Sequence, residues 1–143
     1  MSSIKNVKFL GKYKIVDPVN LYGCILDNNV FIGPFTEIQS NVYVGKNSRI
    51  QSHSFVCSNT EIGKECFIGH GVIFTNDKFK ENRLEKDPKK FQKTNIGDNV
   101  LIGSNATILP VNICSNVVIG AGSVVTKDII EPGIYYGNPC KKK

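Results

Sequence analysis

The sequence contains little histidine, methionine or tryptophan, and the shortage of histidine limits the chemistry that is open to the protein. Its 143 residues include two histidines, one methionine and no tryptophan. A zinc site built from three histidines therefore lacks a ligand. We expect no bound metal.

Long apolar runs and paired cysteines are also absent. No segment is apolar for long enough to cross a membrane, and the N-terminal residues lack the apolar stretch and cleavage site of a signal peptide. Five cysteines form no Cys-x-x-Cys pair, which favours free thiols in a reducing compartment. We therefore expect a cytoplasmic protein with no membrane partner. A chain of this length suffices for one domain, residues 1–143.

The net charge of +6 is compatible with nucleic acid, an acidic membrane surface or a polyanionic small molecule. Nucleic-acid binding would require basic residues interleaved with exposed aromatic residues. Here the positive charge collects in residues 78–93 and in the three terminal lysines. We expect a phosphate-rich small ligand and no nucleic acid.

A six-residue repeat runs through most of the chain. Every sixth residue from Leu26 to Phe74 is large and apolar, and a small or β-branched residue comes four places after each of the first eight. Neither a helix nor an alternating strand has this period. The large residues are Leu26, Ile32, Ile38, Val44, Ile50, Val56, Ile62, Ile68 and Phe74. The small ones are Val30, Thr36, Val42, Ser48, Ser54, Thr60, Cys66 and Val72.

Asparagine or glycine recurs three places after these large residues. Both residue types tolerate left-handed backbone angles, so we expect each six-residue unit to end in a tight corner. Three such sides make a coil of about eighteen residues, which parallel strand pairing stacks on the next. The corner residues are Asn29, Asn41, Asn47, Asn59, Gly71, Asn99, Asn105, Asn116 and Gly122.

This pattern resembles the hexapeptide-repeat family of left-handed parallel β-helices over about residues 15–140. Parallel crossovers are usually right-handed. The left-handed winding is therefore implied by the resemblance alone. The resemblance predicts an all-β, left-handed parallel β-helix with one protruding loop (about 77–94) and a short C-terminal tail. Before residue 26 the phase is irregular, which predicts an imperfect first coil.

Two further irregularities follow the loop. The repeat resumes at Ile96 and slips by one residue near Pro110 to Asn112, where we expect a local distortion. Beyond about residue 131 we expect the chain to leave the repeat through Pro132 and Gly133.

Several segments resemble acetyl-CoA-dependent acetyltransferases of that family. IGDNVLIGSNATILP, VIGAGSVVTKDI and GNPCKKK are similar to their C-terminal half, where acetyl-CoA lies between adjacent subunits of a trimer. GHGVIFTND is similar to a segment of nucleotide-sugar N-acetyltransferases. The resemblance implies a homotrimeric N-acetyltransferase that acts on a UDP- or dTDP-linked amino-deoxyhexose. The 3-amino position is favoured, and the 4-amino position is possible.

The catalytic candidates are His70, His53, Asn76 and Asp77. Histidine can remove a proton from an attacking amine. The two histidines are seventeen residues apart, so we expect them on adjacent coils at nearly the same corner, with rings that can approach. His53 occupies the corner position and is equally well explained as a turn residue. The corner does not require His70.

Asn76 and Asp77 end the repeat, and we expect His70 to face the same groove. Asn76 would bind the sugar amine or the developing oxyanion, and Asp77 would orient or accept a proton. The alternative is an Asx turn that begins the loop. Subtracting one and two coils from Asn76 gives Ser58 and Ser40, neither of which is a base.

Binding candidates come from the loop and from the C-terminal half. Lys78 and Arg83 would contact the substrate, in a loop that reaches over a neighbouring subunit. The outward columns Glu37–Phe55–Ile73 and Phe31–Arg49–Phe67 suggest a subunit interface. The residues expected around acetyl-CoA are Ser104, Ala121, Gly122, Lys127 and Lys141.

Other functions are less consistent with these residues. Maltose and galactoside O-acetyltransferases of the family place a catalytic histidine just past this point in the loop, where this chain has Lys78 and Phe79. That weighs against acetylation of a sugar or serine hydroxyl. A γ-type carbonic anhydrase needs three histidine ligands. A non-catalytic scaffold would not explain the loop or the acetyl-CoA-like terminus.

Overall fold

The computed structural model describes all 143 residues and shows a triangular β-helix with three parallel sheets as its sides. The winding is left-handed, so the predicted fold class is confirmed. Except at the C-terminal end, each strand pairs with the strand three places later in the chain, because each sheet receives one strand from every coil.

The first sheet has seven strands. They are β1 (Ser3–Lys5), β4 (Asn20–Tyr22), β7 (Glu37–Ile38), β10 (Phe55–Val56), β13 (Ile73–Phe74), β16 (Thr107–Ile108) and β19 (Val124–Val125).

The second sheet has six strands. They are β2 (Lys8–Phe9), β5 (Ile25–Leu26), β8 (Tyr43–Val44), β11 (Thr60–Ile62), β14 (Thr94–Ile96) and β17 (Asn112–Ile113).

The third sheet has eight strands, and only its last pair, β20 with β21, is antiparallel. The strands are β3 (Tyr13–Ile15), β6 (Val30–Ile32), β9 (Arg49–Ile50), β12 (Phe67–Ile68), β15 (Leu101–Ile102), β18 (Val117–Ile119), β20 (Gly133–Gly137) and β21 (Cys140–Lys142).

The repeat positions form the core. Glu37 pairs with Phe55, and Phe55 pairs with Ile73, so consecutive coils are offset by eighteen residues. All nine large repeat residues from Leu26 to Phe74 are fully buried, and their eight small partners are at most 2% exposed. Burial of each large side chain contributes roughly 1.5–3 kcal/mol.

The inward hydroxyl groups are mostly satisfied within this core. Ser48 Oγ donates to the carbonyl of Gly63 at 2.7 Å, and Ser54 Oγ donates to that of Gly69 at 2.9 Å. The buried hydroxyl of Thr94 has no partner. Small polar residues are therefore tolerated inside because a neighbouring backbone carbonyl lies within reach.

The predicted corners are confirmed. Every asparagine and glycine at the corner position has a positive φ, from 53° at Asn99 to 69° at Gly122. Phe35 (φ 60°) and Glu65 (φ 57°) also form corners, although neither residue type favours this conformation. The neighbouring coils fix the backbone there despite the local preference.

The β-helix begins earlier than the repeat indicates. Ser3 pairs with Asn20, and Asn20 pairs with Glu37, so a whole coil precedes the one predicted to be first. The predicted start near residue 15 is wrong. The strands of this coil begin at Ser3, Lys8 and Tyr13. The coil is seventeen residues long, because Phe9 pairs with Leu26 and Ile15 pairs with Ile32, so its inward positions are out of phase with a search for period six.

The C-terminal end also differs from the prediction. Strand β20 pairs in parallel with β18, so the chain stays in the third sheet through Gly137 before β21 folds back. The predicted departure at Pro132 and Gly133 is therefore wrong. The one-residue slip is confirmed, because Thr107 pairs with Val124 at an offset of seventeen.

The two short 3₁₀ helices, Lys80–Asn82 and Pro88–Lys90, both lie in the loop. No helix is long and apolar enough to span a bilayer. All five cysteines are free, as predicted, and burial raises the pKa of the Cys24 thiol to about 11. No group of three or more His, Cys, Asp or Glu side chains is placed to hold a metal ion.

We predict that Ile68→Ala lowers the free energy of unfolding by about 2–5 kcal/mol, because it leaves a cavity at a fully buried site. Ile130→Ala is the matched control, since Ile130 is 83% exposed. It should change stability by less than about 0.5 kcal/mol. Denaturant unfolding of both variants at equal protein concentration measures the difference. Equal losses in the two variants would contradict the assignment of Ile68 to the core.

Candidate functional site

The predicted site residues collect at two corners of the triangular coil. The histidine corner joins the third sheet to the first and contains residues 52–53, 70–71, 104–105 and 121–122. The loop corner joins the first sheet to the second and contains residues 58–59, 76–77 and 127, together with the loop through residue 93.

Backbone hydrogen bonds stack the histidine corner in register. Gly71 N donates to the carbonyl of Ser52 at 3.0 Å, and Asn105 N donates to that of His70 at 2.8 Å. Gly122 N likewise donates to the carbonyl of Ser104 at 2.8 Å. One column therefore contains Ser52, His70, Ser104 and Ala121. The structure thus brings His70 into one column with two of the predicted acetyl-CoA residues, and the third, Gly122, lies at the same corner.

The two histidines lie at this corner on adjacent coils, as expected, but in different columns. His53 has a φ of 62° and turns the chain, and its ring lies 4.9 Å from that of Phe35 in the preceding coil. Gly71, not His70, follows His53 in its column. The column shift arises because the two histidines are seventeen residues apart in an eighteen-residue coil.

His70 has one side-chain partner, which the sequence analysis missed. Its Nδ1 lies 2.8 Å from Ser52 Oγ, and the imidazole is exposed. Its Nε2 makes no hydrogen bond within the chain. Ser52 precedes His70 by one coil, so subtracting eighteen from His70 would have found it.

At the loop corner, Asn76 connects the loop to the coil below. Its side-chain Nδ2 donates to Ser58 Oγ at 3.0 Å, and its backbone carbonyl accepts a hydrogen bond from Gln92 N at 3.0 Å. Ser58 N in turn donates to Gln39 Oε1 at 3.1 Å. Asn76 is thus fixed from below and from the returning end of the loop, while its Oδ1 makes no hydrogen bond within the chain.

Asp77 holds the loop backbone. Its Oδ1 accepts a hydrogen bond from Phe79 N at 2.8 Å, and its Oδ2 accepts one from Glu85 N at 2.8 Å. The bond to Phe79 is the Asx turn of the alternative interpretation. Asn59 occupies a corner position with a positive φ, and Asp77 comes one coil later. The loop therefore begins at the position where the repeat would place the next such corner.

The loop borders a cavity of about 930 Å³ whose lining contains four basic and three acidic residues. Arg83 belongs to the lining and pairs with Glu81, whereas Lys78 lies outside it. The charged residues of the lining are Asp77, Lys80, Glu81, Arg83, Glu85, Lys86 and Lys90.

The two corners are far apart within one chain. His70 precedes strand β13 and Asn76 follows it, so six residues of nearly extended backbone separate them, or about 20 Å. His70 does not line the loop cavity. The expectation that His70 and Asn76 face one groove is therefore not met within a single chain.

The predicted acetyl-CoA residues also divide between regions. Lys127 follows β19 and so lies at the loop corner. Lys141 is exposed in β21, opposite Tyr136. The side chain of Tyr136 covers Gly120, beside the histidine corner, because a Cβ on Gly120 would lie 2.9 Å from Tyr136 Cβ.

Comparison with known proteins identifies the repeat. Residues 23–58 match the family model described as bacterial transferase hexapeptide (six repeats), and residues 93–127 match the hexapeptide repeat of succinyl-transferase. The chain is 34% identical over 139 residues to the bifunctional protein GlmU of Streptococcus uberis, which covers 95% of this chain and 27% of GlmU.

Two solved structures show the same fold. A galactoside acetyltransferase in complex with coenzyme A is 29% identical, with a TM-score of 0.65, over 96% of this chain and 62% of that one. A variant of perosamine N-acetyltransferase from Caulobacter crescentus, in complex with CoA and GDP-perosamine, has a TM-score of 0.63 over 99% of this chain and 57% of that one. It is 18% identical, so the likeness is one of fold.

The chain spans about a quarter of the length of the curated relatives it matches. Its six-residue repeat and its left-handed coils extend over most of its length, and the two family-model matches together cover about half of it. The protein belongs to the hexapeptide-repeat family of left-handed parallel β-helices.

Proposed function

We propose that the protein is an acetyl-CoA-dependent N-acetyltransferase whose acceptor is the amino group of a nucleotide-linked amino-deoxyhexose. The observation that carries this proposal is the histidine corner, where exposed His70 stands in one column with Ser104 and Ala121. Similarity to a galactoside acetyltransferase with bound coenzyme A supports the same donor.

The acetyl-CoA would lie along the histidine corner toward the C-terminal end. Ala121 and Gly122 are exposed, and a Cβ on Gly122 would have no neighbour within 4 Å. This open strip has room for the extended pantetheine arm. Lys141, in the adjoining hairpin, would then meet phosphate groups, whereas Lys127 would have to do so from the loop corner of another subunit.

The reaction needs one proton acceptor near the amine. The amine nitrogen attacks the thioester carbonyl, and its proton passes to Nε2 of His70 as the tetrahedral intermediate forms. The intermediate then collapses, the carbon–sulfur bond breaks, and the thiolate takes the proton back from His70. The products are the N-acetyl sugar and CoA with a free thiol.

The separation of the two corners favours a homotrimer with the active site between subunits. If His70 and Asn76 act on the same substrate, they must come from different chains, because about 20 Å of coil separates them in one. The loop of one subunit would then cover the histidine corner of its neighbour. Asn76 would present its free Oδ1 to the sugar amine.

A partly apolar stripe on the third sheet supports such an assembly. Phe31, Arg49 and Phe67 form the predicted column, and the guanidinium carbon of Arg49 lies 4.1 Å from the ring centroid of Phe31. Leu101 continues the column with 41% of its surface exposed. Pairing of this stripe with another subunit would bury it.

The loop cavity, lined by four basic and three acidic side chains, supports a nucleotide sugar as the acceptor through its basic side chains. Arg83 and three lysines line it, and a sugar diphosphate would place two anionic groups among them. The missing loop histidine, replaced by Lys78 and Phe79, favours the amine over a hydroxyl acceptor. Acetylation of a sugar hydroxyl is the second candidate, because the galactoside acetyltransferase is the more similar of the two solved enzymes.

The direct test is thiol release from acetyl-CoA with a panel of UDP- and dTDP-linked 3-amino and 4-amino sugars. We expect turnover of one amino sugar, and a decrease in kcat of about 10²–10⁴-fold in His70→Ala, which lacks the base. Hydroxyl sugars run in parallel test the second candidate. Absence of thiol release with every amino sugar would contradict the N-acetyltransferase proposal.

Asp77 has a structural role in this proposal, and a separate experiment tests it. Asp77→Ala removes the acceptors for Phe79 N and Glu85 N, so trypsin should cleave the lysine-rich loop several times faster. Asp77→Asn retains one amide oxygen and should be intermediate in both cleavage and activity. If Asp77→Asn keeps the wild-type rate of cleavage and still loses activity as fully as Asp77→Ala, Asp77 is the base.

A further inference from the structure

We propose that Ser52 is a positioning residue that holds His70 in the tautomer with a basic Nε2. This inference rests on the proposed role of His70 as proton acceptor. It is carried by the 2.8 Å contact between Ser52 Oγ and His70 Nδ1 on consecutive coils of the histidine corner.

The backbone fixes the distance between these two residues. Gly71 N donates to the carbonyl of Ser52, and strands β9 and β12 pair Ile50 with Ile68 just before the corner. Both Cα positions are therefore held by the parallel ladder. The contact is built into the stacking of the coils and involves no residue of the loop.

The side chain of Ser52 has no other partner. The hydrogen bond that holds this corner uses its carbonyl, and its hydroxyl contacts only His70. The inward serines Ser48 and Ser54, by contrast, donate to backbone carbonyls. The Ser52 hydroxyl is thus available to the imidazole alone.

The proton count decides which tautomer serves catalysis. A neutral imidazole carries one N–H, and only the nitrogen without it can accept a proton. If Nδ1–H donates to Ser52 Oγ, then Nε2 has a free lone pair. If Ser52 donated to Nδ1 instead, Nε2 would carry the proton and could not act as the base. The proposed function therefore requires Ser52 to be the acceptor.

The tautomer can be measured without any substrate. In ¹⁵N-labelled protein, at a pH where the imidazole is neutral, long-range ¹H–¹⁵N spectra should show the proton of His70 on Nδ1. Assignment uses His70→Asn, which leaves only His53. In Ser52→Ala the population should shift toward Nε2–H. A proton on Nε2 in the wild-type protein would overturn the inference whether or not the enzyme acetylates a sugar.

The kinetics of Ser52 variants provide a second test of the positioning role. With the amino sugar that is turned over, Ser52→Ala should lower kcat by at least about tenfold and leave KM nearly unchanged, because the base is lost to the wrong tautomer. Ser52→Thr keeps the hydroxyl and should restore most of kcat. Ser40→Ala, a change at another half-buried serine, is the matched control and should match the wild type. Equal activity of Ser52→Ala and the wild type would overturn the positioning role.

A lack of acetyl transfer in the wild type would count against the proposed function and not against the geometry. In that case the tautomer measurement alone decides whether Ser52 accepts from His70. The two failures are therefore distinguishable.

Discussion

The parallel backbone ladder between successive coils is the interaction on which the rest of the structure depends. Outside the loop it pairs residues sixteen to eighteen places apart, so the position of a residue in one coil sets the position of its partner in the next. Phe55 stands between Glu37 and Ile73 for this reason, and Ile50 beneath Ile68. A slip of one residue would turn the core residues outward. Burial of the repeat residues therefore holds the register at every coil.

The same register builds the candidate site from ordinary corner residues. Stacking places Ser52 under His70 and Ser58 under Asn76, and each pair forms a side-chain hydrogen bond. Stacking also keeps these two pairs apart, because they belong to opposite ends of the first sheet. A rigid flat side cannot bend to bring its own corners together. A second subunit, with its loop extended across the boundary, supplies the missing half in our proposal.

The regular part of the fold was predictable because the residue types of each six-residue unit indicate which positions are buried and where the chain turns. The buried positions from Leu26 to Phe74 and the corners at asparagine follow from side-chain volume and backbone preference alone. The first coil was missed because it is seventeen residues long, which puts its inward positions out of phase with the six-residue repeat. The corner at Phe35 was missed because stacking, and not its own conformational preference, sets its backbone.

The site was predictable only where its residues are separated by whole coils, because subtracting the coil length then identifies the neighbours. His70 and Ser104 could be assigned to one corner from their positions in the repeat, and Ser52 was within reach of the same subtraction. The loop interrupts the repeat, so its contacts cannot be found from the coil length. The bonds from Asp77 to Phe79 and Glu85 depend on a fold of the loop that no period describes. The side chain therefore holds the loop backbone, as the Asx-turn alternative predicts, although its acidity suggested a proton acceptor.

Mixing two inactive variants in one trimer tests the central claim that His70 and Asn76 meet between subunits. Co-expression of His70→Ala with Asn76→Ala at equal levels should restore about a quarter of the wild-type sites, since each site takes one residue from each neighbour. Activity near that level in the mixed protein, with neither variant active alone, is the predicted result. A mixture no more active than its parents would mean that each chain carries its site by itself, and the account would be wrong.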